Sequence, residues 1–194
     1  MKIWVKNLLV YSLIMIFTFL HSLIYRSDII DNLVYFLAVT LPYILFAFAF
    51  LLMLCVPTRN DTGPWIKSLP RRALKCVHGI FTVGIAYGIT AILKYTPHIP
   101  RPFIGFPDIK PLFLETGGSF PSGHATAFAA LATVVYFHNR KAGVFFWIAA
   151  ILIAISRVIA GVHYPIDIAG GLLIGGLVGL GMNKLWRVLS KLTA

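Results

Sequence analysis

The chain has 194 residues, of which 59% are hydrophobic and only 12% are charged, and its mean hydropathy of +0.86 is that of an integral membrane protein. Soluble domains carry about a quarter charged residues, so a soluble enzyme is nearly excluded. The formal net charge of +11 would suit a nucleic-acid partner only if the basic residues clustered on one face, whereas here they separate apolar segments. No nucleic-acid partner is therefore expected.

Six apolar stretches approach the length of about 20 residues that a helix needs to cross a bilayer. The first follows Lys2 and Lys6, lacks a small-residue cleavage site and is predicted to remain uncleaved. Pro42 lies inside the second and is expected to kink it. We predict an all-α bundle of about six transmembrane helices with a short outer-face loop region, forming one membrane-embedded domain over residues 1–194. The predicted spans are Leu8–Tyr25, Leu33–Val56, Val77–Leu93, Pro121–Phe137, Ala142–Ala160 and Pro165–Met182.

The positions of Lys and Arg predict the orientation, because positive residues in short loops stay on the cytoplasmic side. Six spans place both termini on the same side as the loops Pro57–Cys76 and His138–Lys141. That side carries 12 of the 17 basic residues, which indicates that it is cytoplasmic. The five basic residues expected on the outer side are Arg26, Lys94, Arg101, Lys110 and Arg157.

The fourth predicted span begins with Pro121, a residue that suits the first position of a helix because its missing N–H costs nothing there. Ser122, Gly123 and His124 would then lie in the first helical turn, whose N–H groups have no partner within the helix. Such a turn binds anions readily. We therefore expect an anion site at this end of the span.

The last predicted span begins in the same way with Pro165, which places Asp167 in the first turn and His163 just before the helix. The carboxylate is then close enough to hold an N–H group of the imidazole ring. A nucleophilic or basic histidine needs such an orienting partner.

Three of the outer basic residues, Lys94, Arg101 and Arg157, stand at or near span ends beside these polar residues. A charge at membrane depth costs about 2.5 to 3.5 kcal/mol, so it is rarely present without a partner or a task. Three cations near one carboxylate predict that the ligand of this site is a multiply charged anion. Phosphate fits best, because guanidinium groups bind its oxygens in pairs and Lys supplies a point charge.

These residues form three segments in chain order. The first is Lys94 followed, after six residues, by Arg101-Pro102. The second is Pro121-Ser122-Gly123-His124. The third is Ser156-Arg157 followed, after five residues, by His163 and, after three more, by Asp167. Together they resemble the three-part signature of the type 2 phosphatidic acid phosphatases, which share their site with vanadium haloperoxidases. The resemblance extends from about residue 77 to residue 182, whereas residues 8–56 match only in being two further spans.

The resemblance implies a phosphomonoester or diphosphate hydrolase that needs neither a metal nor a cofactor. His163 would attack phosphorus to form a phosphohistidine, with Asp167 orienting its ring. His124 would protonate the leaving oxygen and then activate water. The residues that would hold the equatorial phosphate oxygens are Lys94, Arg101, Ser122, Gly123 and Arg157.

The short six-span form resembles bacterial enzymes of the cytoplasmic membrane whose substrate is a membrane lipid phosphate. Undecaprenyl diphosphate is favoured over phosphatidic acid, phosphatidylglycerol phosphate and lipid A. A lipid phosphotransferase would use the same site, and this alternative stays open, as does the oligomeric state. A multi-pass transporter is the alternative from another class, although the inverted repeats typical of transporters are not found.

Two further features have simpler interpretations. The loop over residues 103–119 is expected to be solvated, including its charged residues Asp108, Lys110 and Glu115, although contact with a lipid headgroup is the alternative. Glycines recur at four-residue intervals in the last span and predict a face on which a neighbouring helix packs closely.

Overall fold

The computed structural model describes residues 2–56, 65–96 and 99–192, with side-chain surroundings for residues 11–56, 69–96 and 99–190. No β-strand occurs among these residues, which confirms the predicted all-α class. The helices in chain order are α1 (Lys2–His21), α2 (Asp28–Tyr35), α3 (Leu41–Cys55), α4 (Trp65–Tyr95), α5 (Pro102–Gly105), α6 (Gly123–His138), α7 (Arg140–Ile159) and α8 (Pro165–Leu192).

Within the described part of the chain, four helical segments are long and apolar enough to cross a membrane: Asp28–Cys55, Leu69–Tyr95, Arg140–Ile159 and Pro165–Ser190. They correspond to the second, third, fifth and sixth predicted spans. The first predicted span appears as the shorter apolar segment Tyr11–His21, and the fourth appears as α6. With 16 residues, α6 is only about 24 Å long.

The second predicted span is continuous from α2 to α3, because a π-helical turn, Phe36–Thr40, joins the two helices. In this turn the N–H of Leu41 donates to the carbonyl of Phe36, five residues earlier. Pro42 follows directly, so the helix accommodates the proline by widening the turn before it. The break in regular geometry was expected, and its form is a π turn.

The loop predicted over Pro57–Cys76 is wrong in its second half, because α4 already begins at Trp65. Residues 57–64 lie outside the described residues. Arg72, on this helical extension, donates to the carbonyls of Leu54 and Cys55 at 3.1 and 3.0 Å. A guanidinium group that satisfies the last carbonyls of α3 ties α4 to the end of that helix.

Helix α6 forms the centre of the bundle, and most of its residues from Ala125 to Val135 are buried. Phe128 and Leu131 belong to a core cluster that also contains Leu45 of α3 and Ile153 of α7. A helix buried on nearly all sides needs apolar residues all round, which explains why its sequence shows little amphipathic pattern.

The three glycines of α8 that recur at four-residue intervals, Gly171, Gly175 and Gly179, pack against a neighbouring helix as predicted, and that helix is α6. A Cβ atom on Gly175 would lie 2.1 Å from the carbonyl oxygen of Thr126, and one on Gly171 would lie 2.8 Å from that of Ser122. A Cβ atom on Gly179, one turn further along α8, would also clash with α6. Only a residue without a side chain allows two helix backbones to approach this closely.

This close packing brings the beginnings of α6 and α8 together, and the N–H of Ser122 donates to the carbonyl of Asp167 at 3.1 Å. Helices α4 and α7 run in the opposite direction and end at the same end of the bundle. The three sequence segments therefore meet there, and residues 106–122 cross this end as an irregular loop.

Candidate active site

His163 and Asp167 form a buried pair at the start of α8. Nδ1 of His163 lies 3.3 Å from Oδ2 of Asp167, and the two side chains are 1% and 0% exposed. The same oxygen accepts a hydrogen bond from the N–H of Tyr164 at 2.8 Å and one from the hydroxyl of Ser119. Pro165 is the first residue of α8, as predicted, and this start places the carboxylate beside the imidazole ring.

The charge and tautomer of His163 follow from its surroundings. Burial lowers the pKa of the His163 imidazole to about 3, against the opposing effect of the hydrogen bond that the ring donates to Asp167, so the ring is neutral near pH 7. Nη1 of Arg101 lies 3.4 Å from Nε2 of the ring. A guanidinium group can only donate, so we assign Nε2 as the acceptor and Nδ1 as the protonated nitrogen. Nε2 is thus unprotonated, and its lone pair faces Arg101.

Arg101 is 2% exposed and connects two loops. Its Nε and Nη2 atoms donate to the carbonyls of Gly117 and Thr116 at 3.1 and 3.0 Å, and its Nη1 atom donates to the carbonyl of Val162 at 3.0 Å. These hydrogen bonds hold the loop before α6 against the loop before α8. Arg101 therefore positions the site as well as contributing charge to it.

Arg157 lies in the last turn of α7 and is 1% exposed. Its Nη1 atom donates to the carbonyl of Ala38 in the π turn at 2.9 Å. Pro42 has no N–H to donate to the carbonyl four residues before it, which is that of Ala38, so this carbonyl is available to a side chain. Nε of Arg157 is buried and has no hydrogen-bond partner among the described residues.

Glu115 does not lie in solvent, which corrects the expectation for this loop residue. Its Oε2 atom is 2.7 Å from Nη1 of Arg101, and its Oε1 atom contacts Nη2 of Arg157. Oε2 is also 3.7 Å from Nε2 of His163, but the neutral ring makes this a contact rather than an ion pair. Glu115 contacts the site instead of lying in solvent because the two buried guanidinium groups each need a counter-charge. The other two charged loop residues, Asp108 and Lys110, are exposed as expected.

The start of α6 differs by two positions from the prediction. Ser122 has extended backbone angles and precedes the helix, which begins at Gly123, so Pro121 is not its first residue. The N–H of Ser122, at this N-cap position, donates to the carbonyl of Asp167 of α8. The hydroxyl of Ser122 is buried and has no hydrogen-bond partner among the described residues. The N–H groups in the first turn of a helix have no partner within the helix.

Lys94 and His124 complete the set of predicted residues. Lys94 is half-buried in the last turn of α4 and lies within electrostatic range of Arg101, Arg157 and Asp167. His124, in the first turn of α6, lies within electrostatic range of Lys94 and Arg101. All eight residues predicted for the site are therefore at one end of the bundle.

Three contributors to this site were missed by sequence reasoning: Glu115, Ser119 and the carbonyl of Ala38. Ser119 stands two residues before Pro121, so its position beside the second segment was a usable signal. The carbonyl of Ala38 accepts a hydrogen bond from Arg157, 119 positions later in the chain. Apart from the nearby Pro42, nothing in the sequence indicated this contact.

These features define a helical membrane protein with a histidine–aspartate pair beside two buried arginines. The sequence model of the PAP2 superfamily matches residues 76–190, which include all three segments, and the chain belongs to this superfamily. It is a phosphatase of that family, whose other members include named diphosphatases and phosphatases. The family resemblance found in the sequence is therefore confirmed.

Two related sequences and one solved structure resemble the chain over most of its length. The chain is 29% identical to undecaprenyl-diphosphatase BcrC of Bacillus subtilis strain 168, over 84% of this chain and 79% of that protein. It is 27% identical to the bacitracin transport permease protein BcrC of Bacillus licheniformis, over 84% and 75%. The crystal structure of LpxE from Aquifex aeolicus superimposes with a TM-score of 0.68 and 26% identity, covering 88% of this chain and 94% of that one.

Proposed function

We propose that the protein hydrolyses a phosphomonoester or diphosphate on a membrane lipid through a phosphohistidine at His163. The observation that carries this proposal is the neutral His163, held by Asp167 and placed beside the buried guanidinium groups of Arg101 and Arg157. Undecaprenyl diphosphate is the substrate we favour, because a relative that covers most of the chain is named as an undecaprenyl-diphosphatase.

In the first step, Nε2 of His163 attacks phosphorus in line with the leaving oxygen, and the bond between phosphorus and that oxygen breaks. The positive charge that develops on the ring is stabilised by Asp167, which keeps Nδ1–H pointed at its carboxylate. His124 donates a proton to the departing oxygen. A proton at this point matters because a lipid alkoxide or phosphate is a poor leaving group without one.

In the second step, water attacks the phosphohistidine, and His124, now unprotonated, accepts the proton from that water. The N–P bond breaks and inorganic phosphate is released. His163 returns to its neutral form with the proton on Nδ1. The two histidines thus have separate tasks, one covalent and one in proton transfer.

The transferring phosphoryl group gains charge on its equatorial oxygens, which buried donors stabilise better than water does. Two donors at this site, the Ser122 hydroxyl and Nε of Arg157, are buried without a hydrogen-bond partner among the described residues. A buried donor without a partner costs about 1 to 3 kcal/mol, so an oxygen-rich ligand would relieve both. Lys94, Arg101 and the N–H of Gly123 add further positive potential.

A mostly apolar groove of about 360 Å³ supports a lipid as the carrier of the phosphate. The groove lies between α1 and the start of α8, so its wall continues directly from His163 into the next residues. It is lined by Leu13, Phe17, Phe106, Ile109, Tyr164 and Pro165. We assign this groove to the first part of the lipid chain, which must lie close to the phosphate it carries.

We further propose that the site faces the outside of a bacterial cytoplasmic membrane, with both termini in the cytoplasm. The proposal is supported by the distribution of basic residues, 12 of 17 on the opposite side. Arg71 and Lys110 are exposed and lie on the two predicted sides, so they provide positions for a direct test.

The decisive experiment measures phosphate release by the purified protein from undecaprenyl diphosphate, phosphatidic acid, phosphatidylglycerol phosphate and a lipid A, with and without a chelator, and tests vanadate in the absence of the chelator. We expect the highest kcat/KM on undecaprenyl diphosphate, inhibition by vanadate, and no release by His163→Ala. Activity that disappears on chelation and returns with added magnesium would refute the metal-free mechanism. Phosphate release that is highest on another of the four lipids would correct the substrate assignment.

The same purified protein can be used to test the two alternatives to lipid phosphate hydrolysis, which are phosphotransfer and transport. A phosphotransferase would give a phosphorylated lipid when an acceptor lipid is added, and product analysis with and without the acceptor distinguishes transfer from hydrolysis. The name of the Bacillus licheniformis relative suggests transport as the second alternative function. Hydrolysis in detergent micelles, where no two compartments exist, would show that the chemistry does not depend on transport.

A further inference from the structure

Glu115 holds the two guanidinium groups of the site with its two carboxylate oxygens. Oε2 lies 2.7 Å from Nη1 of Arg101, and Oε1 contacts Nη2 of Arg157. The carboxylate is also adjacent to the attacking nitrogen, because Oε2 is 3.7 Å from Nε2 of His163. One anionic group thus bridges both arginines directly in front of the nucleophile.

A phosphoryl group that reacts with His163 must occupy the same place. The attacking and attacked atoms have to approach to about 3 to 3.5 Å before the bond forms. Phosphorus at this distance from Nε2 would bring its oxygens to the guanidinium groups that Glu115 now contacts. Carboxylate and phosphoryl group cannot share these donors in so small a volume, and their negative charges repel one another.

The surroundings of Glu115 allow its side chain to leave while the loop stays in place. The glutamate side chain is 23% exposed, whereas those of Arg101 and Arg157 are 2% and 1% exposed. The next two residues, Thr116 and Gly117, are fixed by hydrogen bonds from Arg101 to their carbonyls. A rotation about side-chain bonds toward solvent is therefore sufficient, and no movement of the backbone is needed.

We propose that Glu115 is an internal competitor of the substrate phosphate and thereby sets the affinity of this site for phosphate. The inference rests on the proposed function, which places the reacting phosphoryl group at His163. In the free protein the carboxylate compensates the charges of Arg101 and Arg157, which are costly to bury alone. The substrate displaces it on binding, and its return after hydrolysis expels inorganic phosphate. Glu115 thus weakens binding and limits inhibition by the product.

The first test uses the unsubstituted side chain, because Glu115 is the only glutamate in the chain. Labelling with glutamate that carries ¹³C in its side-chain carboxylate gives one assigned signal, observed in the His163→Ala protein so that no phosphoenzyme forms. Inorganic phosphate is titrated in, and its binding is followed by ³¹P NMR in the same sample. We expect the carboxylate signal to shift with the same saturation curve as phosphate binding, toward the position of a solvated glutamate.

The second test compares the affinity of variants for inorganic phosphate, again in the His163→Ala background, by isothermal titration calorimetry. Glu115→Gln keeps the shape but loses the charge, so its contacts with the arginines are weaker. We expect phosphate to bind about tenfold more tightly to Glu115→Gln, a change of about 1.4 kcal/mol. Asp28→Asn removes one negative charge from an exposed position on the first turn of α2 and should leave the affinity unchanged.

The outcomes separate the inference from the function on which it rests. Phosphate that binds while the ¹³C signal stays in place, or binds to Glu115→Gln no better than before, would overturn the role of Glu115 and leave the phosphatase mechanism intact. A complete failure of phosphate to bind would overturn both. The NMR titration needs no substitution at position 115, so it remains decisive if Glu115→Gln does not fold.

Discussion

The hydroxyl of Ser119 donates a hydrogen bond to Oδ2 of Asp167, the carboxylate oxygen that also lies 3.3 Å from Nδ1 of His163. Ser119 is fully buried, and its N–H donates to the carbonyl of Ile99 at 2.8 Å, so its backbone position is fixed. The loop before α6 thus controls the direction of the carboxylate at the start of α8. Ser119 acts through Asp167 and is a positioning residue.

Ser119→Ala should slow formation of the phosphoenzyme about tenfold or more, because a hydrogen bond to a charged group is worth about 1.5 to 3 kcal/mol. Binding of inorganic phosphate should change little, and Ser119→Thr should restore much of the rate. The measurement is rapid-quench kinetics with a lipid phosphate. Thr82→Val is the matched control, because this buried hydroxyl donates only to its own helix, at the carbonyl of His78. An equal loss in both variants would indicate a general effect on stability.

The roles of the two histidines can be separated by the leaving group. His124→Ala should lose about 10² to 10⁴-fold in phosphoryl transfer from a lipid phosphate, the usual contribution of a general acid. The loss should be much smaller with p-nitrophenyl phosphate, whose leaving group departs without a proton. His163→Ala should be inactive on both substrates and should form no acid-labile, base-stable phosphoenzyme in rapid-quench experiments. Equal sensitivity of His124→Ala to both substrates, or a phosphoenzyme without His163, would contradict the assignment.

The protonation state of His163 gives a prediction about pH. Its pKa of about 3 lies below the ordinary value of 6.5, so the ring should stay neutral from pH 5 to 8. In ¹⁵N-histidine-labelled protein, the signals absent from His163→Gln should show a neutral ring protonated at Nδ1 across that range. Because the unfolded ring binds a proton more readily, the stability that the neutral ring contributes is complete above pH 6.5 and is lost as the pH falls toward 3. A titration of these signals near pH 6.5 would refute the assignment.

The contact between α6 and α8 predicts a large difference between two glycines of the same helix. A Cβ atom on Gly175 would lie 2.1 Å from the carbonyl oxygen of Thr126, whereas one on Gly181 would meet nothing within 4 Å. Gly175→Ala should therefore destabilise the protein by about 1 to 3 kcal/mol, the usual cost of overpacking. Gly181→Ala should be neutral or stabilising by roughly 0.5 to 1 kcal/mol, because alanine suits a helix better. Thermal unfolding in detergent measures both, and similar melting temperatures would contradict the close packing.

The orientation is tested by cysteine labelling in a background that lacks Cys55 and Cys76. A cysteine at Lys110 should react with an impermeant maleimide added to intact cells, whereas a cysteine at Arg71 should react only after the cells are opened. Both positions are exposed on the surface of the protein. The reverse pattern would place the site on the cytoplasmic side.

The sequence by itself determined the class of the fold and singled out eight candidate residues for the site. Apolar stretches of bilayer length have few structural solutions other than helices, since backbone groups in lipid must pair within their own segment. The spacing within each segment placed His163 beside Asp167 and the glycines of α8 on one face, because such relationships span only one or two helical turns. All eight predicted residues could therefore be named from local patterns.

Only the tertiary structure decided what those residues contact across the bundle. The closeness of α6 and α8 lets the N–H of Ser122 donate to the carbonyl of Asp167, and the π turn before Pro42 offers the carbonyl of Ala38 to Arg157. Glu115 looked like a loop residue in solvent and instead bridges two arginines. Each of these contacts joins segments that are distant in sequence, and each depends on how deeply a charge is buried. Burial is a property of the packed bundle, so no local pattern could have revealed it.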